Sequence, residues 1–137
     1  MKVKIGNYPK HRWYHNFLYT KFGYTPKQKI KVHIDPWDTW SMDHTLAEIV
    51  LPMLYQLAKT KHGSPIVDEE DVPWELQGDH HEDLVHERWD WVMAEMIFAF
   101  QHKCNGYDPD YTLSKEDQER MSNGFKLFGK YYEGLWD

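Results

Sequence analysis

Trp37 and Trp40 stand three residues apart and are set among Asp35, Asp38 and Asp43. The helical pattern that follows closes on Lys59, Lys61, His62 and Gly63. Indole rings and cations around one element are the components of a pocket for a flat, charged ligand. The same residues also serve as core anchors and as cations answering a helix dipole, so both roles stay open. The arginines are sparse: Arg12, Arg88 and Arg120, against thirteen lysines. Each lies in an aromatic or amide setting, HRWYHN, ERWDW and ERMSNGFK. Guanidinium forks onto phosphate or stacks on a ring, which ammonium does less well. Arg88 fits an ion pair with Asp90 or a neighbouring helix better than a ligand contact.

Nine histidines raise the question of a metal. His80, His81, Glu82, Asp83, His86 and Asp90 fall within eleven residues, and Glu82, His86 and Asp90 repeat at one helical turn. Their spacing fits no zinc signature and lacks HExxH, so a solvated helix start is the better reading and no metal is expected. A metal-dependent nucleotide phosphohydrolase would recruit acids from two helices, such as Glu48, Asp90 and Glu95, but no ExxE repeat marks them. No serine stands in GxSxG, and GxxxxGK[ST] and GxGxxG are missing. Cys104 lacks a convincing partner. No catalytic residue and no cofactor is therefore assigned.

The elements that must position these groups follow from pattern. Val3 to Ile5 predicts a short strand ending at Gly6 and Pro9. Residues 11–22 predict a short aromatic helix ending at Gly23. Lys29 to Asp35 alternates, with Ile30, Val32 and Ile34 on one face of a half-buried strand. Ser41 opens a helix carrying Leu46, Ile49, Val50, Met53, Leu54 and Leu57, ended by Gly63 and Pro65. Pro52 within it either kinks the axis or starts a second helix. Residues 64–78 read as a surface loop. Asp79 with Glu82 forms a capping box for a central helix bearing Val85, Trp89, Val92, Met93, Met96 and Phe100. Ser114 with Asp117 starts the last helix, whose stripe is Met121, Phe125, Phe128, Tyr132 and Leu135. Gly124, Gly129 and Gly134 within it imply close backbone approach by a helix or ligand, or a break. The expected architecture is one α+β domain over residues 1–137, two short N-terminal strands packed with three longer helices.

A chain of 137 residues suits one core, and its 7 tryptophans can help to fill it. No window approaches a membrane span, no signal-peptide pattern opens the chain, and one cysteine excludes an internal disulfide framework, so a reduced cytosol is the expected compartment. The net charge of -6 hides an asymmetry. Residues 1–34 hold seven Lys and Arg12 without one acid, +8, and the remainder carries -14. Aromatics Tyr8, Trp13, Tyr14, Phe17, Tyr19, Phe22 and Tyr24 interleave the basic segment. Such a surface faces a nucleotide or docks on an acidic partner, including its own chain or a second subunit. The acidic remainder argues against DNA.

The blocks WDTWSMDHTLA, LAKTKHG, EEDVP, RWDWVMAEMIFAF and NGFKLFGKYYEGLWD resemble a widespread family of small tailed-phage proteins, along essentially the whole chain. Through it the chain is similar to the phage anti-CBASS sponges, which bind cyclic nucleotides of host immunity and withhold them uncleaved. The resemblance implies a homo-oligomeric binding protein in the host cytoplasm, with a cyclic dinucleotide as ligand. Such a ligand offers flat bases and phosphates. Trp13, Trp37 and Trp40 are candidate platforms. Arg12, Lys61, His62, Arg120 and Lys126 are candidate phosphate partners, and Asn123 could read a base edge. Two other functions compete with this one. One is inhibition of a host protein by direct contact through the acidic face; the other is the metal-dependent phosphohydrolase.

Overall fold

The computed structural model describes residues 2–7, 9–78, 84–106, 108, 110 and 111–136. The Asp79–Glu82 capping box and His80, His81, Glu82 and Asp83 of the acid–histidine cluster lie outside the described residues, as does Tyr8. Among the described residues, a two-stranded antiparallel sheet and four α-helices make up a mostly helical chain. It forms two compact units, Met1–Ser41 and Met42–Asp137.

The first unit pairs β1 (Lys2–Ile5) with β2 (Ile30–His33), with Val3 opposite Val32. The ribbon continues past the strands, because Gly6 N–H donates to the Lys29 carbonyl at 2.9 Å. Between the strands runs α1 (Trp13–Phe22). Gly23 closes α1 at φ 63°, where its N–H reaches the Tyr19 carbonyl at 2.8 Å, a left-handed stop that glycine adopts without strain. The predicted half-buried face of β2 is corrected: Ile30, Val32 and Ile34 are 59, 57 and 49 % exposed. Alternation marks a strand, but burial needs a covering layer, and two strands alone supply none. A single-turn 3₁₀ segment, Pro36–Thr39, then carries Trp37.

The second unit holds α2 (Met42–Thr60), α3 (Leu84–Asn105) and α4 (Lys115–Lys130). α3 packs against both others and is the central helix, as its two-faced apolar pattern predicts. Trp89, Val92, Met93, Met96 and Ala99 are fully buried along it. Pro52 sits on the exposed side of α2, which runs unbroken to Thr60. Ser114 caps α4 as expected, its Oγ accepting the Asp117 N–H at 3.0 Å.

The buried line of α4 is Gly124, Leu127 and Tyr131, one position off the predicted apolar stripe. Gly124 explains the rotation. A Cβ there would collide with the Glu95 carbonyl and the Ala99 Cβ, so α3 and α4 touch backbone to backbone. Gly129 faces open space, and Gly134 packs on Pro65. Gly124→Ala should therefore cost about 3 kcal/mol, the upper end of overpacking, because the obstructing atom is backbone. An unchanged urea midpoint would contradict this contact.

The loop between α2 and α3 is tied down at two places. Arg88 donates through Nε to the Leu76 carbonyl at 2.7 Å and through Nη2 to the Gly78 carbonyl at 2.9 Å and Glu69 at 3.3 Å. Its partners are two loop carbonyls and the Glu69 carboxylate, not Asp90. On the other side Tyr131 Oη donates to Asp71 at 2.5 Å and accepts the Asp68 N–H at 2.9 Å. Lys130 bridges Asp68 and Asp71 at 2.7 and 2.5 Å. Partial burial works to raise the Asp71 pKa, but the Lys130 and Tyr131 bonds outweigh it and hold the carboxyl below its ordinary range. Burial, then the Asp71 bond, push the Tyr131 phenol up to about 12.

A depressed carboxylate stabilises the fold above its unfolded pKa and loses that contribution as pH falls through the folded value. Urea unfolding below about pH 4, the ordinary carboxylate range, should thus weaken more steeply in wild type than in Asp71→Asn. Parallel acid limbs would show that this clamp contributes nothing.

Candidate functional site

The basic unit concentrates the aromatic candidates. Residues 1–41 carry eight Lys and Arg against Asp35 and Asp38, a formal +6, and the second unit carries -12. Only His15 is buried among the first unit's described residues. Trp13, Trp37 and Trp40 are 86, 77 and 82 % exposed. Large exposed rings of this kind are available to a ligand or a partner.

Trp37 and Trp40 sit with ring centroids 5.9 Å apart at 31°. A base sandwiched between two rings needs about 7 Å, two van der Waals gaps. The pair therefore packs on itself and offers outer faces, not a slot. Its neighbouring acids are occupied locally. Asp38 Oδ2 accepts the Asp35 N–H at 2.8 Å, and Asp35 lies 3.2 Å from His33 Nε2. Asp43, in the second unit, pairs with Lys103, and that bond first of all holds its carboxyl below the ordinary range. Trp13 opens α1 with its ring 5.9 Å from Tyr14, edge on. The Arg12 guanidinium beside it meets the Tyr14 hydroxyl at 3.4 Å and no carboxylate among the described residues.

Two candidates of the second unit, Arg120 and Lys61, are engaged with carboxylates. Arg120 forks onto Glu95, Nε at 3.0 and 2.9 Å and Nη2 at 2.6 Å, and lies over the Phe98 ring at 3.8 Å. The Glu95 bond raises the Arg120 pKa further. Lys61 pairs with Asp90 at 2.5 Å, and His62 follows it on the exposed turn after α2. Asn123 and Lys126 are exposed on α4. The acids that a hydrolase would recruit are similarly engaged: Glu95 with Arg120, Asp90 with Lys61, and Glu48 3.6 Å from His44. Among the described residues no group of three or more His, Cys, Asp or Glu is placed to hold a metal ion.

One feature of the first unit escaped the pattern reading. A cleft of about 490 Å³ is lined from three segments, by Pro9 and His11, by His15, Asn16 and Tyr19 of α1, and by the stretch from Tyr24 to Gln28. The signal was the four-residue spacing of His15 and Tyr19, which places both on one side of α1.

No helix of the described residues is long and apolar enough to cross a membrane. No protein-family model, curated protein or solved structure matches this chain.

Proposed function

We propose that this chain is a phage anti-defence protein that binds a small cyclic nucleotide of host immunity and sequesters it without cleavage, as a homo-oligomer in the host cytoplasm. The observation that carries the reading is the set of exposed indoles on a basic unit, with the Arg12 guanidinium beside Trp13. Bases stack on exposed rings, and phosphate draws a guanidinium that no carboxylate already holds. The resemblance of its sequence blocks to small tailed-phage proteins is what points to the phage setting. Arg120 and Lys61 are left out of the proposed site, because each is already held by a carboxylate, Glu95 and Asp90.

Direct contact with a host protein is the second reading. The exposed apolar row Ile30, Val32 and Ile34 favours it, since a partner strand or helix could cover that face. Calorimetric titration of 3′,3′-cyclic GMP–AMP separates the two. The wild type should bind, and Arg12→Ala should bind about ten- to a hundredfold more weakly, the loss of a charge-assisted bond. Equal binding by Arg12→Ala would remove Arg12 from the site. Absence of binding across a panel of cyclic nucleotides would leave the protein-contact reading.

A further inference from the structure

We infer that the cleft between α1 and the segment that follows it is a subsite for a nucleobase. The inference rests on the nucleotide-binding reading and goes beyond it by naming the pocket. Its volume, about 490 Å³, lies in the range of small-ligand sites. The polar atoms that line it are directed by bonds made elsewhere. His15, 8 % exposed, accepts the Arg12 N–H on Nδ1 at 2.9 Å, which places the ring proton on Nε2 as a donor. The Tyr14 ring meets His15 edge on at 4.6 Å and fixes its plane. Asn16 spends its Oδ1 on His11 at 2.9 Å and keeps its amide hydrogens. Gln28 spends Nε2 on the Gly6 carbonyl at 2.7 Å and keeps Oε1 as an acceptor.

The cleft thus offers donors at His15 and Asn16, an acceptor at Gln28, and the rings of Tyr19 and Tyr24. A phosphate only accepts and has no flat face. A nucleobase has a flat face and an edge of mixed donors and acceptors, which is what such a wall recognises. The flanks supply the rest of a nucleotide's needs. Lys10, Arg12, Lys27 and Lys29 are each chain neighbours of lining residues, and no carboxylate occurs in residues 1–34 to repel a phosphate.

The test is an amide-correlation titration of the isotopically labelled full chain with guanosine 5′-monophosphate, adenosine 5′-monophosphate and ribose 5-phosphate. Either nucleotide should shift Asn16, Tyr24 and the Gln28 side-chain amide, and should bind at least tenfold more tightly than ribose 5-phosphate. Asn16→Leu should weaken nucleotide binding about tenfold with the spectrum otherwise retained. Equal binding of ribose 5-phosphate would overturn the subsite, because only phosphate would then be read. Shifts confined to Trp13, Trp37 and Trp40 would also overturn it and leave the nucleotide reading standing. No response to either nucleotide, together with no binding of any cyclic nucleotide, would remove both.

Discussion

Arg120→Ala should lower the unfolding free energy by about 3 kcal/mol while leaving nucleotide affinity unchanged. The physical reason lies in Glu95, whose side chain is 7 % exposed and accepts three hydrogen bonds from the Arg120 guanidinium. Removing the guanidinium leaves a buried carboxylate without compensation, and that penalty exceeds what the pair itself contributes. The half-exposed arginine places the effect near the low end of the range for buried pairs. A double variant, Arg120→Met with Glu95→Met, should recover most of the loss, since apolar groups of similar length replace an ion pair at little cost. Denaturant melts of the three proteins check this. If Arg120→Ala melted like wild type but lost nucleotide affinity, the guanidinium would serve ligand and not fold.

The second large effect is on binding. Joint replacement of Trp13, Trp37 and Trp40 by alanine should weaken a cyclic nucleotide by more than a hundredfold. Base–aromatic stacking contributes about 1–3 kcal/mol per base, and a cyclic dinucleotide has two bases to lose. The fold should survive, because these rings are among the most exposed in the chain and cover little of the core. Equilibrium titration beside far-ultraviolet circular dichroism reads both outcomes. Retained affinity in the triple variant would show that the indoles serve another partner.

The parts of the fold that sequence conveyed are those governed by local rules. The two-faced apolar run from Val85 to Phe100 requires cover on both sides, and α3 has it. Ser114 satisfies a helix N-terminus three residues on, wherever that helix packs. What stayed hidden depends on partners distant in sequence. Glu95 and Arg120 are 25 residues apart, so no periodicity announces their clamp. Gly124 contributes no hydrophobicity, yet it sets the line along which α4 meets α3. Alternation in β2 signalled a strand correctly but could not report that nothing covers Ile30 and Val32 to core depth. The candidate site divides in the same way. Arginine scarcity singled out Arg12 and Arg120 equally, and only the carboxylate facing one of them separates their roles. The cleft was missed because its polar atoms gain direction from backbone bonds at Arg12 and Gly6.

Retention of an intact ligand tests the central claim most directly. Purified wild-type protein is incubated with a panel of cyclic di- and trinucleotides, freed of unbound ligand by gel filtration, and denatured by heat. The released material is then analysed by mass spectrometry. Sequestration predicts recovery of one or more cyclic nucleotides, uncleaved, in stoichiometric proportion to protein. Linear products would make the protein a hydrolase, and a supernatant free of nucleotide would contradict nucleotide binding altogether.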